Sequence, residues 1–409
     1  MKKLRRIRLR MAIALAALWM GMGVLPSANA QRPFVVQGEL TGLPDGTVLL
    51  LLERRNNMDS RVDCDTLQNG RFRLEAMASE VKMFTVRLSD ERLLTNMLQV
   101  WGQSGDTVSV NGEGRRGFEW QVQSANPLQA EYAAYVHAAS EEYRQMDECL
   151  KQCEELEKRI QQEPEGQRQV LKDSLENASN RFTALSCKAT GKQYAMLKQR
   201  YQKDGTVEPL SPCAEYILFY AASDAVYGDG SLDIDEMRAF YESVPENRRQ
   251  SYMMQYAGVL LFPPTVAKQG DLMYDGAVLY DLQGNKHRLS DYNKGKYLLL
   301  DFWSCACGPC LMSFPELKTV SEELKDSLVV ISISSDMDKE WKETSAAHDI
   351  TWVNLNDRRG STGIFAHYGF EAFPFYVIIS PEGKIVKTFT GYSEGRIKQK
   401  LSSIFTQYK

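Results

Sequence analysis

Three of the chain's 8 cysteines, Cys305, Cys307 and Cys310, fall within a span of six residues. Thiols can attack a disulfide, form one or bind a soft metal, and the spacing narrows the choice. In Cys307-Gly308-Pro309-Cys310, two intervening residues let the sulfurs close a small, reducible disulfide. Cys307 can then attack a substrate disulfide and Cys310 can resolve the mixed intermediate. Zinc would need two further ligands. Cys305 supplies one, and His137, His287, His348 and His367 lie far away in sequence, so no metal is expected.

These thiols must be held by the elements on either side. Tyr297 to Trp303 is a continuous apolar run containing one acid, Asp301, the pattern of a buried central strand. A helical pattern follows from about Cys310 to Leu324, which places the first sulfur at a helix N-terminus. There the free N–H groups and the dipole favour thiolate over thiol. Strands are predicted at Leu328 to Ile333, Trp352 to Leu355, Phe375 to Ser380 and Lys384 to Thr388, with helices at Lys339 to His348 and Ser393 to Phe405. A short hairpin, Ala277 to Tyr280 with Lys286 to Leu289, comes before the cysteines. Strands alternating with helices predict an α/β sheet over 266–409.

The rest of the chain divides by period. From Phe34 to about Gly114, the apolar runs Val48 to Leu52, Phe72 to Leu74 and Val108 to Val110 follow the turn signals Pro44-Asp45-Gly46, Asn69-Gly70 and Gly105-Asp106. This predicts a small antiparallel β domain over 31–125, and it holds no convergent acid, base or nucleophile. Asn126-Pro127 is a helix start. Apolar residues then recur in steps of three and four from Leu128 to Ile160, break at Glu163-Pro164-Glu165-Gly166, and resume to Tyr201. Two long antiparallel helices joined by a short turn are expected, with further helices at Pro212 to Ala225, Ile234 to Val244 and Arg248 to Leu261, so 126–265 reads as an α-helical region. Cys149 and Cys153 lie one turn apart on the apolar stripe and read as core packing, as does the isolated Cys64. Asp229-Gly230 with Glu236 lacks oxygen ligands at Ala225 and Tyr227, which excludes a calcium loop.

A content of 43% apolar and 25% charged residues excludes disordered, collagen-like and disulfide-scaffold chains, and 409 residues call for two or three domains. The formal charge of -4 includes six basic residues and no acid in the first thirty, so without that segment it becomes -10. An acidic protein lacks the surface that phosphates require, and no nucleic-acid partner is expected. The same segment is basic, then apolar from Met11 to Leu25, then small at Ala28-Asn29-Ala30. It reads as a secretory signal over 1–30, which assigns the rest to the periplasm or cell envelope, where disulfides persist.

Asp301-Phe302-Trp303, Cys307-Gly308-Pro309-Cys310, Phe314-Pro315-Glu316-Leu317 and Phe373-Pro374-Phe375 together closely resemble the thioredoxin fold, specifically the exported TlpA/ResA-like thiol-disulfide oxidoreductases, over about Gly270 to Lys409. The stretch Asp338 to His348 with the Trp352 strand resembles the insertion that separates this family from plain thioredoxins. Residues 33 to 130 are similar to the small β domain that precedes such modules in envelope proteins. The resemblance implies that Cys307 is the nucleophile, Cys310 the resolving thiol and Asp301 a buried acid serving Cys310. Pro374 would be a cis proline whose flanking backbone pairs with substrate, within a substrate surface of Trp303, Gly308, Pro309, Phe373 and Pro374. The family implies no cofactor beyond the redox-active Cys307–Cys310 disulfide, protein disulfides and thiols as substrates, and a membrane thiol-disulfide electron donor. This sequence departs from the family at Ala306, where an aromatic residue is usual, at Ser313, where ResA-type proteins carry a glutamate, and at Phe375, which replaces a small residue. Cys305 is a candidate accessory thiol. A disulfide reductase is the favoured reading. The alternatives are a redox-sensing envelope adaptor and a peroxiredoxin-like peroxidase, whose Pro-x-x-x-Thr-x-x-Cys pattern would fall on Leu300 and Ser304. The helical region is a candidate for homodimerisation.

Overall fold

The computed structural model describes residues 32–55, 58–89, 97–370 and 372–408; the signal segment expected over 1–30 lies outside them. No helix among the described residues is long and apolar enough to cross a membrane. In the N-terminal third, alternating apolar residues form strands because every second side chain faces inward. These are β1 (Phe34–Thr41), β2 (Val48–Arg55), β3 (Met58–Thr66), β4 (Arg71–Ala76), β5 (Lys82–Leu88), β6 (Leu98–Gly102), β7 (Thr107–Glu113) and β8 (Gln121–Gln123). They make two four-stranded sheets, β4-β1-β7-β8 and β3-β2-β5-β6, which share a core of Phe34, Val36, Leu49, Leu51, Phe84 and Val108. The pairings are antiparallel except β1 with β7, which run parallel. Gly38 lies on that parallel seam, where any Cβ would overlap the Val110 carbonyl.

Helix α1 (Pro127–Ala138) starts as its sequence dictates: the Asn126 side chain accepts from Leu128 N–H, and Pro127 sits in the first turn. The single long helix expected from Leu128 to Ile160 is two. The chain breaks at Ala139 (φ -111°, ψ 11°) before α2 (Ser140–Gln162). The break lets the two pieces pack on different partners. Tyr132 of α1 packs on Trp101 of β6, and Gln129 Oε1 accepts from Trp101 N–H at 2.9 Å. Helix α2 instead pairs with α3 (Gln169–Tyr201), burying Met146, Cys149 and Leu185, and farther along Leu156, Leu171 and Ala178. The apolar stripe of the hairpin is therefore buried within the hairpin. A short ribbon of β9 (Gln202–Lys203) and β10 (Thr206–Val207) follows, then α4 (Pro212–Tyr227), α5 (Ile234–Ser243) and α6 (Tyr252–Leu261), packed around Tyr135, Leu197, Leu218 and Phe240.

The C-terminal third begins with β11 (Leu279–Tyr280) and β12 (Lys286–His287). Its main strands are β13 (Tyr297–Trp303), β14 (Leu328–Ser334), β15 (Val353–Leu355), β16 (Phe375–Ile379) and β17 (Ile385–Thr390), and its helices are α7 (Gly308–Glu323), α8 (Asp338–Ala347), α9 (Ile364–His367) and α10 (Arg396–Leu401). The sheet order is β15-β14-β13-β16-β17, with β13, β14 and β15 parallel and the other pairings antiparallel. Leu298, Leu300 and Phe302 face a core with Ile331, Ile333 and Phe365; Leu299 and Trp303 face the opposite core, with Cys310, Phe314 and Leu317 of α7. The two-residue period therefore places Asp301 on the face that α7 covers.

Candidate redox site

The chain leaves β13 at Trp303, turns, and enters α7 at once. The turn is closed by Cys307 N–H donating to the Ser304 carbonyl at 3.0 Å, and Cys307 is the N-cap of α7. Cys307 and Cys310 are joined as a disulfide, their Cα atoms 5.3 Å apart. Cys310 is fully buried, whereas Cys307 is half-buried. Cys310 N–H reaches both the Cys307 carbonyl (3.0 Å) and Cys307 Sγ (3.2 Å), so this sulfur itself caps the helix. A thiolate formed there meets a donated N–H and the positive end of the helix dipole.

Asp301 is fully buried on the same face of the sheet. Its Oδ2 accepts from Ser332 Oγ at 2.7 Å, and Ser332 Oγ in turn accepts from Trp352 Nε1 at 2.8 Å. Its Oδ1 has no hydrogen-bond partner among the described residues. Burial pushes the carboxyl up to about 7, with Ser332 pulling the other way. The neighbours of Asp301 across the sheet are Ser332 and Tyr376, the latter fully buried and stacked on Phe389 at 4.7 Å. This leaves a carboxyl that gains and loses its proton near neutral pH beneath the cysteine helix.

The Phe373–Pro374 peptide is cis. Phe373 is half-buried, packs on the same apolar cluster as Cys307, and lies 4.3 Å from the Phe370 ring. Gly308 and Pro309 are exposed beside Cys307. One apolar cluster thus joins the cysteine turn, the proline loop and the strand that carries Asp301.

Residues 268–407 match the Redoxin family. The chain is 31% identical over 128 residues to the thioredoxin-like protein YneN of Bacillus subtilis (strain 168), covering 30% of this chain and 73% of that protein. It is 33% identical over 132 residues to the thiol-disulfide oxidoreductase ResA of Geobacillus thermodenitrificans (strain NG80-2), covering 31% of this chain and 73% of that protein. The chain belongs to the thioredoxin-fold thiol-disulfide oxidoreductases. Among solved structures it is similar to the thioredoxin domain of a thiol-disulfide oxidoreductase from Bacteroides vulgatus, with 27% identity, 31% of this chain and 90% of that chain covered, and a TM-score of 0.29.

In this oxidoreductase Trp303 is not where a substrate residue should be. It is fully buried and edge-on to Phe314 at 5.1 Å, so it supports α7 from below and presents nothing to a bound chain. Within Phe314-Pro315-Glu316-Leu317, Phe314 and Leu317 are core, and Glu316 accepts from the N–H groups of Gly395 (3.1 Å) and Lys398 (2.8 Å), pinning the start of α10. Ser313 Oγ donates to the Cys310 carbonyl at 2.7 Å. The peroxidase pattern finds no support: Leu300 is core, and Ser304 Oγ donates to Asp336 Oδ1 at 2.8 Å, away from Cys307. Cys149, Cys187 and Cys213 are buried free thiols, and burial pushes Cys187 up to about 11, away from reactivity, whereas Cys64, expected in the core, is exposed on β3.

Two features escape sequence reading. Asp336, 31 residues beyond Cys305, accepts from Cys305 N–H at 2.7 Å and organises the turn before the redox pair. Away from the cysteines, a cavity of about 850 Å³ lies between the β domain and the helical region, walled by Phe118, Trp120, Tyr132, Tyr143, Tyr216 and Tyr220. Its rings come from several separate segments, so no local spacing signals it. No cluster of metal-ligating side chains occurs among the described residues.

Proposed function

We propose that this protein is an exported disulfide reductase in which Cys307 attacks and Cys310 resolves. The unequal burial of the two sulfurs carries the reading: Cys307 is half-buried at the start of α7, and Cys310 is fully buried on the face that holds Asp301. In the reduced enzyme the Cys307 thiolate attacks one sulfur of a substrate disulfide. The substrate S–S bond breaks, the far sulfur leaves as a thiolate that takes up a proton, and a mixed disulfide remains. Cys310 then attacks Cys307 Sγ and gives its proton to Asp301, and the second substrate thiol departs. Two electrons have moved from the cysteine pair to the substrate, so the pair itself is the only redox group the reading needs.

Gly308, Pro309, Phe373 and Pro374 supply the substrate surface. The Pro374 carbonyl already accepts from Gly391 N–H at 2.8 Å, so the backbone of Phe373 is the part offered to a protein substrate. Recharging falls to a membrane thiol-disulfide donor, and export rests on the segment 1–30. The α2–α3 hairpin buries its stripe in itself, so dimerisation through it is not part of the reading.

The test is the reduction potential of Cys307–Cys310 in the chain beginning at Gln31, equilibrated in dithiothreitol and glutathione buffers. A value near or below about -270 mV supports the reductase, and one near about -120 mV makes the pair an oxidant. Absence of a two-electron couple refutes the redox reading altogether. In parallel, Cys310→Ser should accumulate a substrate mixed disulfide through Cys307, detectable by mass spectrometry, whereas Cys307→Ser should not.

A further inference from the structure

Two thiols only two residues apart stand in opposite environments. Cys307 Sγ accepts from Cys310 N–H at the positive end of α7. Cys305 Sγ instead lies 3.3 Å from Oδ1 of Asp336, a buried carboxylate just beyond β14. The other donors to that carboxylate are Ser304 Oγ (2.8 Å), Cys305 N–H (2.7 Å) and Ser334 Oγ (2.9 Å). A sulfur can join that set as a donor only while it keeps its proton. The second charged group acting on it is Glu340 of α8, another acid. Burial first, and Asp336 after it, push the Cys305 thiol up to about 12. Cys305 is only half-buried, so burial alone does not seclude it from reagents or substrates.

We propose that Asp336 selects the resolving thiol: by holding Cys305 as a hydrogen-bonded S–H it keeps that sulfur out of exchange and leaves Cys310 to attack the mixed disulfide on Cys307. This inference rests on the reductase reading. In the mixed disulfide, the attacking sulfur must first lose its proton. It then bonds to Cys307 Sγ while the Cys307–substrate bond breaks, and the substrate sulfur leaves with the electron pair and takes up a proton. For Cys305 the first step would place a thiolate against the Asp336 charge, and the product would be Cys305–Cys307 in place of Cys307–Cys310. Asp336 touches no substrate and acts as a positioning residue.

The experiment is differential alkylation of the reduced full chain with iodoacetamide across pH, read by peptide mass spectrometry, with disulfide mapping after oxidation in glutathione buffer. In the wild type, Cys307 should label at neutral pH and Cys305 only above about pH 10, and Cys307–Cys310 should be the bridge found. Asp336→Asn should raise the rate of Cys305 labelling at pH 8 about tenfold or more and produce a Cys305–Cys307 bridge. Adding Cys305→Ser to that variant should restore the single bridge, and Cys305→Ser alone should leave disulfide-reducing turnover unchanged. The proposal is overturned if wild-type Cys305 labels as fast as Cys307, if a Cys305 bridge forms in the wild type, or if folded Asp336→Asn leaves Cys305 as slow as before. Should Asp336→Asn not fold, the wild-type profile and bridge map decide alone. Failure of Cys307 and Cys310 to cycle in the same buffers would instead refute the reductase reading, whatever Cys305 does.

Discussion

Asp301→Asn gives the sharpest test of the buried acid. The carboxyl is held at about 7 against an ordinary 3.8, chiefly by burial. For an acid this direction means that the folded state keeps its proton longer than the unfolded one. Below pH 3.8 both states are protonated and nothing is lost. As pH rises from there to about 7 the unfolded chain ionises while the fold does not, and stability falls. Above about 7 the deficit is constant, and the gap corresponds to about 4 kcal/mol. Asparagine cannot ionise, so the variant escapes that deficit. It can still accept from Ser332 Oγ as Oδ2 does, but its amide N–H groups replace Oδ1, which has no partner among the described residues, at a cost of about 1–3 kcal/mol. Asp301→Asn is therefore expected to be less stable than the wild type at pH 4 and more stable by about 1–3 kcal/mol at pH 9. The assay is hydrogen exchange of β13 peptides in the oxidised full chain, corrected for intrinsic rates, since in that state Cys307 and Cys310 do not titrate. A difference between variant and wild type that stays constant within about 1 kcal/mol from pH 4 to pH 9 would refute the reasoning.

The helical region holds the opposite case. Glu142, whose side chain is 1% exposed, contacts Lys188 at 3.0 Å and Lys192 at 2.7 Å. Burial pushes its carboxyl up, but the two lysines outweigh burial and hold it below the usual 4.5. Its contribution is therefore present above pH 4.5 and lost as pH falls below it. Glu142→Gln should cost about 1–2 kcal/mol at pH 7, less than a fully buried pair because the lysine side chains are substantially exposed, and less still at pH 3; thermal unfolding followed by circular dichroism reads both. In the β domain, Gly38→Ala forces a methyl group into the Val110 carbonyl across the β1–β7 seam and should cost about 3 kcal/mol, measured by urea unfolding. A loss near zero would mean that this seam does not form as described.

Much of the fold was legible because its signals are local. The apolar run Tyr297 to Trp303 is a strand with those bounds, and the turn at Glu163 to Gly166 separates the two halves of the hairpin. The Asn126 cap is readable from a few adjacent residues, since a side chain that satisfies a free amide two positions on needs no distant partner, whereas the helix expected from Arg248 begins only after Ser251, whose side chain accepts from Met254 N–H. The break at Ala139 was not legible, because the apolar stripe runs through it without a change of period. Only the different partners of α1 and α2 call for the bend.

The chemistry is legible in the chain alone: two thiols at the spacing of a reducible disulfide, at the junction of a buried strand and a helix, with one acid in that strand. These are properties of neighbours along the chain, fixed by bond lengths and by the periods of helix and strand. The tertiary structure decided which way each group faces and what it meets. It turned Trp303 inward to support α7, left Oδ1 of Asp301 without a hydrogen-bond partner among the described residues, and set Glu316 under the start of α10. It also brought Asp336 from 31 residues away onto Cys305. The registers of β14 beside β13 and of β16 beside β13 set what Asp301 meets and bring the end of β14, with Asp336 beyond it, beside the end of β13, and register depends on the packing of both sheet faces at once, which no stretch of sequence contains alone.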